Sequence, residues 1–323
     1  MIADGYNLVF RKSNSGSANR ISGYKESEMS LEFAYYPGCG AKQVQKEADE
    51  AARAVCQELD IGLFDMPNAT CCGAVSLRET KPAFSLAVAA RILSEAEAQG
   101  RDLVTICNTC LQTLSYANYR FKTEPEILEK INKVLSEAGV RPFEATIKVH
   151  HLLWVMTDLV DQTMLKSRIK RPLNGLRVAP FYGCHNLRPE HIYDGEAGEK
   201  ADHLHRLIAT LGGDPVSYDG QDKCCGFHVM LSDQEEMKGM VAKNCLSAKN
   251  AGAEVMISPC TLCDMAMGAY QGVAEKSVGK FIGLPEMNFA QLLGAAMEID
   301  EKKLGLNRLH ISPRPTLSAR GVL

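Results

Sequence analysis

Leu103-Val-Thr-Ile-Cys-Asn-Thr-Cys110 recurs 153 residues later as Met256-Ile-Ser-Pro-Cys-Thr-Leu-Cys263, and the organisation of the whole chain follows from that recurrence. In both copies a short apolar run enters a Cys-x-x-Cys, which reads as a buried strand delivering two thiols to a loop. Working outward, 34 residues upstream of each Cys-x-x-Cys stands an adjacent cysteine pair followed by glycine: Cys71-Cys72-Gly73 and Cys224-Cys225-Gly226. Further upstream lie Tyr36-Pro-Gly-Cys39 and Tyr182-Gly-Cys184, separated from their pairs by 31 and 39 residues. The offset of 153 carries Cys72, Cys107 and Cys110 onto Cys225, Cys260 and Cys263. Ten of the twelve cysteines thus form two sets of five, and the chain is an internal duplication.

A unit of this length is a domain, because solenoid repeats have periods of about 20 to 50 residues. Leu31–Tyr36, Leu176–Tyr182, Leu103–Ile106 and Val255–Ile257 read as strands. Ala41–Leu59, Pro82–Gln99, Lys200–Leu211 and Asp233–Asn250 read as helices from their three- and four-residue apolar spacing. Strand–helix alternation predicts an α/β fold of two duplicated Rossmann-like units with short parallel sheets, related by pseudo-two-fold symmetry. Ligands of such sheets collect at the carboxyl ends of the strands, where the cysteines fall. The expected divisions are a polar N-terminal extension at 1–28, a first domain at 29–150, a second at 151–300 and a basic C-terminal tail at 301–323. The junction between domains lies within 141–175, with His150–Val160 expected as a helix. The tail has five basic residues and no acid from Lys302 onward, and reads as a solvated segment or an arm for a partner protein.

The bulk properties exclude several classes. A chain of 323 residues with 46% hydrophobic and 23% charged residues is globular rather than disordered. A net charge of −3 gives no general attraction to nucleic acid or anionic membrane. No apolar run reaches the 18 or so residues of a membrane span, and the first residues lack a secretory pattern. A cytoplasmic location follows, in which thiols stay reduced and serve metal or redox chemistry rather than disulfides. Neither Gly38-Cys-Gly40 nor Gly212-Gly213 makes a phosphate cradle, so no nucleotide site is expected.

Thiolates select zinc, copper(I) or iron–sulfur clusters. A structural zinc site wants four ligands in a tetrahedron, usually from two closely spaced knuckles. Here each set offers five thiols, and two adjacent side chains do not readily serve one small ion. They suit a larger object whose several metal atoms accept neighbouring thiolates, and the following glycine lets the backbone turn towards it. A lone Cys-x-x-Cys is a weak signal, shared with dithiol redox sites. The five-residue set, present twice, is specific.

The patterns Cx31CCGx33CxxC and Cx39CCGx33CxxC resemble the tandem CCG domains of the heterodisulfide reductase B-type family, over residues 30–297. In that family each five-cysteine motif holds a non-cubane [4Fe-4S] cluster. The resemblance implies one cluster on Cys39, Cys71, Cys72, Cys107 and Cys110, and another on Cys184, Cys224, Cys225, Cys260 and Cys263, with zinc possible in one motif. It also implies partners, a ferredoxin-like iron–sulfur subunit and a flavin-containing subunit, since no cubane-type CxxCxxCxxxCP run occurs here. The residues after the pairs, Ala74-Val75 and Phe227-His228, and the absence of a ferredoxin module favour the heterodisulfide reductase side over the glycolate and lactate oxidation proteins.

The implied activity is one-electron redox chemistry on a disulfide, a thiol or sulfane sulfur, or a lipoyl-type group, with the direction left open. His185 and His228, one residue after Cys184 and three after Cys225, are the candidate proton donors to a leaving thiolate; hydrogen bonding to cluster sulfur is the other reading. Cys56 and Cys245 read as buried structural thiols, His150-His151 as a junction feature, Lys223 as a charge near the second pair or a solvated lysine, and Met265–Met267 as core. Two other functions fit the same residues: an electron-transfer or anchoring subunit of a flavin dehydrogenase of the succinate or fumarate type, and a zinc-binding scaffold.

Overall fold

The structure, a computed structural model, describes residues 31–193 and 202–323. The expectations for residues 1–28, and the first two residues of the helix expected at Lys200–Leu211, lie outside the described residues; the rest of that helix is present as His203–Thr210. Residues Leu31–Leu323 form one compact unit. It holds two four-stranded sheets, and every strand pairing in both is parallel.

The first sheet consists of β1 (Glu32–Tyr36), β2 (Gly62–Asp65), β3 (Leu103–Thr105) and β4 (Val149–His151), in the order β2-β1-β3-β4. The second consists of β5 (Arg177–Pro180), β6 (Asp214–Pro215), β7 (Val255–Ser258) and β8 (Glu286–Asn288), in the matching order β6-β5-β7-β8. Each is an open α/β unit, so the duplication in sequence is a duplication of architecture. The central strands are buried over nearly their whole length: Phe33 to Tyr36 of β1, all of β3 and all of β7. Unbroken apolar runs of this kind belong to parallel sheets covered on both faces by helices. The edge strands are shorter or more exposed, and Pro215 sits at such an edge, where a missing N–H breaks no central ladder.

The four expected strands are present, and β2, β4, β6 and β8 join them. The helix expected at Ala41–Leu59 is two helices, Gly38–Gln43 and Lys46–Glu58, interrupted at Val44-Gln45. The segment His150–Val160 is not one helix. β4 continues the first sheet through His151, and only then does a short helix, Leu152–Trp154, run into a wide π-turn, Val155–Leu159. Val149-His150-His151 is too short to show a strand period, and the apolar run that follows it reads as a helix, which hid the strand.

The chain segments after β4 and β8 cross between the halves. The helix Phe289–Ala296, after β8, packs on the helix Lys46–Glu58 of the first half, with Gly294 close to Val55. The segment after β4 packs on the helix His203–Thr210 of the second half, where Trp154 meets the rings of His203 and Tyr193 at 5.9 and 5.4 Å. His151 completes the exchange. Its Nδ1 accepts from the Leu153 N–H, so its Nε2 carries the proton and donates to the Pro259 carbonyl at 2.8 Å. As a result one apolar core holds Tyr35, Val55, Trp154, Leu204 and Phe289 from both halves.

The C-terminal residues also pack against this body. Leu304, Leu306, Leu317 and Val322 are buried, and Arg308, Arg314 and Arg320 pair with Glu50, Glu301 and Glu254. Their bases are therefore the outer side of a packed segment, with apolar residues between them turned inward. Leu317→Ala should destabilise the protein by about 2–5 kcal/mol, the cost of a cavity at a fully buried leucine. Arg314→Ala, which removes an exposed ion pair, should cost about 1 kcal/mol or less. Guanidinium midpoints of the two variants check this; equal midpoints would contradict the packed segment.

A candidate iron–sulfur centre between the two sheets

Each cysteine set is assembled by three loops at the carboxyl ends of its sheet. Cys39 follows β1, Cys107 and Cys110 follow β3, and Cys71-Cys72 lie between β2 and the helix Ala74–Thr80. Cys184, Cys260, Cys263 and Cys224-Cys225 hold the equivalent places around β5, β6 and β7. In the first set the sulfurs come together in pairs: Cys39 with Cys71 at 3.5 Å, and Cys72 with Cys110 at 3.6 Å. In the second set Cys184 pairs with Cys224, and Cys225 with Cys263. The two sets touch, with Cys107 Sγ 3.8 Å from Cys260 Sγ.

Glycines make this density possible. Gly38 has φ of +81°, and a β-carbon there would stand 2.8 Å from Cys110 Sγ; Gly183 repeats the arrangement with Cys263 Sγ at 3.1 Å. Gly73 and Gly226, also at positive φ, turn their N–H groups onto the sulfurs of Cys71 and Cys224 at 3.4 and 3.3 Å. The electrostatics repeat as well. Cys71 is pulled down to about 2, chiefly by its bond with Cys39 and then by Cys72, and Cys224 to about 2 by Cys184 and Cys225. Cys39 and Cys184 are raised by the same bonds. At the centre, Cys260 is held down despite complete burial, by hydrogen bonds from Cys107, Cys263 and backbone N–H groups. Each set thus holds thiolates and thiols together, the state from which metal displaces the remaining protons.

Donor chemistry and placement fit an iron–sulfur group. Ten soft ligands meet in two paired arrays. The buried Thr261 hydroxyl, inside the second Cys-x-x-Cys, has no protein partner and is available to a bound sulfide. The sets differ in exposure: Cys39 and Cys71 are exposed, Cys184 and Cys224 half-buried, and the other six buried. Cys56 lies in the core of its helix, while Cys245 meets the Met267 sulfur at 3.6 Å.

The remaining candidates divide. His185 and His228 line one narrow cleft with Cys184, Cys224, Cys225, Cys260 and Cys263. Their rings lie 5.5 Å apart, and both reach the Thr109 hydroxyl, at 3.1 and 3.4 Å. Burial, with His228 and Arg78 adding to it, lowers His185 to about 4. His150 lies in β4, 3.4 Å from Asp102, and Lys223 is exposed beside Asp222. Met267 is core.

Sequence reasoning passed over the residues between the paired cysteines. Asn108 donates to the Tyr182 carbonyl and accepts from Asn186, so the first Cys-x-x-Cys reaches into the Cys184 loop. Thr109 does the same for the histidines, and Thr261 returns the contact by closing on Gly40. Asp264, next to Cys263, is fully buried with Glu286, which burial raises well above its usual range; Ser258 and Asn288 bind Asp264. The signal available was the asymmetry of the interior residues, Asn-Thr against Thr-Leu.

The family model of the CCG cysteine-rich domain matches residues 33–115 and 178–268, one copy on each sheet. The chain belongs to the CCG family. Similar proteins include the membrane anchor subunit of 8-methylmenaquinol:fumarate reductase from Wolinella succinogenes, 33% identical over 86% of this chain and 96% of that one. The B-type component of ferredoxin:CoB-CoM heterodisulfide reductase from Methanosarcina mazei is 27% identical over 85% and 92%. A heterodisulfide reductase B-like protein of Archaeoglobus profundus is 27% identical over 90% and 98%. The fold alone is shared with a solved hypothetical protein from Helicobacter pylori, with a TM-score of 0.70 and 15% identity over 87% of this chain; the match spans about half of that structure. These kinships make the CCG chain a component of the oxidoreductase type and support iron–sulfur binding by its cysteines. No helix among the described residues is long and apolar enough to cross a membrane.

The buried His151 gives a pH test of the interface. Burial lowers it to about 4, against about 6.5 for an unfolded histidine. Protonation then favours the unfolded chain, so stability should be complete above about pH 6.5 and fall as pH drops towards 4, by up to about 3 kcal/mol. His151→Asn, the residue the second sheet uses at Asn288, should flatten that slope, leaving the shares of His185, His203 and His205, which burial also lowers. Guanidinium midpoints between pH 4 and 7 measure it; an unchanged slope would show that His151 is not held neutral.

Proposed function

We propose that the chain is the iron–sulfur catalytic subunit of a heterodisulfide reductase-like complex, reducing a disulfide or, in reverse, oxidising thiol or sulfane sulfur. The observation that carries this reading is the contact between two complete five-thiol sets, 3.8 Å apart at Cys107 and Cys260. Cys39, Cys71, Cys72, Cys107 and Cys110 would hold one non-cubane [4Fe-4S] cluster, and Cys184, Cys224, Cys225, Cys260 and Cys263 the other. When bound, such clusters supply single electrons and open iron positions for sulfur. Two of them side by side match a reaction that needs two electrons, one for each sulfur released.

The chain's own residues do the rest. A disulfide taking two electrons and two protons leaves as two thiols. His185 and His228, both within reach of the Thr109 hydroxyl in the cleft they share with Cys184 and Cys224, would hydrogen-bond one departing sulfur; His185, lowered to about 4, is neutral near pH 7 and would relay a solvent proton to that sulfur, the other sulfur taking its proton from solvent directly. The first set has no histidine in the matching places, which are Gly40 and Val75. Electrons would enter from an iron–sulfur subunit, itself served by a flavin-containing one.

The likeness to a fumarate reductase anchor favours a second reading, an electron-transfer subunit in a succinate or fumarate type complex. Zinc in one set is the remaining variant. Anaerobically purified protein should carry roughly eight irons and eight labile sulfides. Cys225→Ala should remove the second cluster's spectrum and disulfide reduction by reduced ferredoxin, while Cys245→Ala keeps both. About four irons would point to zinc in one set. Full iron with no thiol or disulfide turnover in the assembled complex would favour the electron-transfer reading.

A further inference from the structure

Arg78 stands on the helix Ala74–Thr80, which begins directly after Cys71-Cys72-Gly73. Its guanidinium lies 5.0 Å from the centre of the Tyr116 ring, and Nη1 donates to Gln112 Oε1 at 3.1 Å. Both supports come from the helix Asn108–Thr123, the one that starts at the first Cys-x-x-Cys. No carboxylate among the described residues pairs with Arg78, although other half-buried arginines commonly find one: Arg53, Arg101, Arg120 and Arg320 each do. Gln112 stands one helical turn after Thr109, whose hydroxyl meets His185 and His228 of the second half, so the helix that holds Arg78 also reaches the histidines.

An arginine clamped on one edge and one face keeps its other N–H groups in a fixed fork, the geometry that receives a planar or tetrahedral oxyanion through two hydrogen bonds. A solvated lysine offers no such direction. The position is also specific to one side, because the residue 153 further on is Leu231, which is exposed and apolar. The helix that holds Thr109 against the histidines therefore also holds an oriented cation.

The geometry points to Arg78 as a specificity-determining residue that binds a compact anionic group, such as a carboxylate, carried on the thiol or disulfide substrate. This assignment rests on the sulfur chemistry proposed above. The anion fixes which end of an unsymmetrical disulfide faces His185, so that the sulfur nearer the charge leaves as the thiol protonated there. Arg78 acts on the bound substrate and takes no part in electron transfer.

The test uses cluster-loaded, oxidised protein titrated anaerobically with two small thiols of similar size, 3-mercaptopropionate and neutral 2-mercaptoethanol, read by the change in visible absorption and electron paramagnetic resonance. The anionic thiol should bind about tenfold more tightly, the scale of one charge-assisted hydrogen bond. Arg78→Gln should erase that preference at unchanged iron content, and Arg78→Lys should restore part of it as a point charge without the fork. Sodium propionate should compete with 3-mercaptopropionate in the wild type and not in Arg78→Gln. Equal binding of both thiols, or a preference that survives Arg78→Gln, overturns the assignment and leaves the sulfur reading intact. Silence of the cluster spectra towards both thiols overturns the two together.

Discussion

Ten thiols can share one site only if two sheets turn their carboxyl ends towards each other, and the contact of Cys107 with Cys260 is where that condition is met. Like-charged thiolates repel, so the approach needs compensation built into the backbone. It comes from the hydrogen bonds that hold Cys260 down while Cys107 keeps its proton, and from glycines whose missing side chains leave room for sulfur. The interlocked helices supply the opposing force. With Phe289–Ala296 seated on the first half and Trp154 on the second, separating the sulfurs means opening a shared apolar core.

The same constraint explains why the polar residues at the junction are so fully used. Asn108, Asn186, Thr109 and His151 each bond across the halves, replacing water that the buried loops exclude. A buried polar group without a partner costs about 1–3 kcal/mol, so such a network fixes one relative placement of the two sheets and penalises others. Buried atoms left without a partner include Thr261 Oγ1 and Asn186 Oδ1, one and two residues after Cys260 and Cys184, and Trp154 Nε1 and His203 Nδ1 in the shared core.

Most of the fold was legible in the sequence because the duplication set its own ruler. Once Cys107 and Cys260 were matched, β1, β3, β5 and β7 followed from apolar runs ending at cysteine, and the parallel topology from the helices between them. What stayed hidden was short or carried no period. β4 and β8 are three residues each, and β6 only two, too few for alternation to register. At the site, the histidines were visible through their nearness to cysteine in sequence, whereas Thr109 and His151 act across the junction, 76 to 119 residues from their partners in the bonds that matter. The basic C-terminal residues misled for a different reason: composition counted the arginines, and the leucines between them, turned inward, decided the outcome.

The exchange of helices after β4 and β8 carries a consequence for how such a molecule can diversify. A single unit of this kind leaves the apolar face of its post-β4 helix unburied and would need a twin, each contact then occurring twice about an exact two-fold axis. In that arrangement any substitution at the axis appears in both places, so a histidine beside one cysteine loop implies a histidine beside the other. Joining the twins in one polypeptide removes that obligation. Thr109 opposite Leu262, His185 opposite Gly40 and His151 opposite Asn288 are pairs that a symmetric dimer of identical chains could not contain. Fusion thus turns a site with two equal ends into one with a direction.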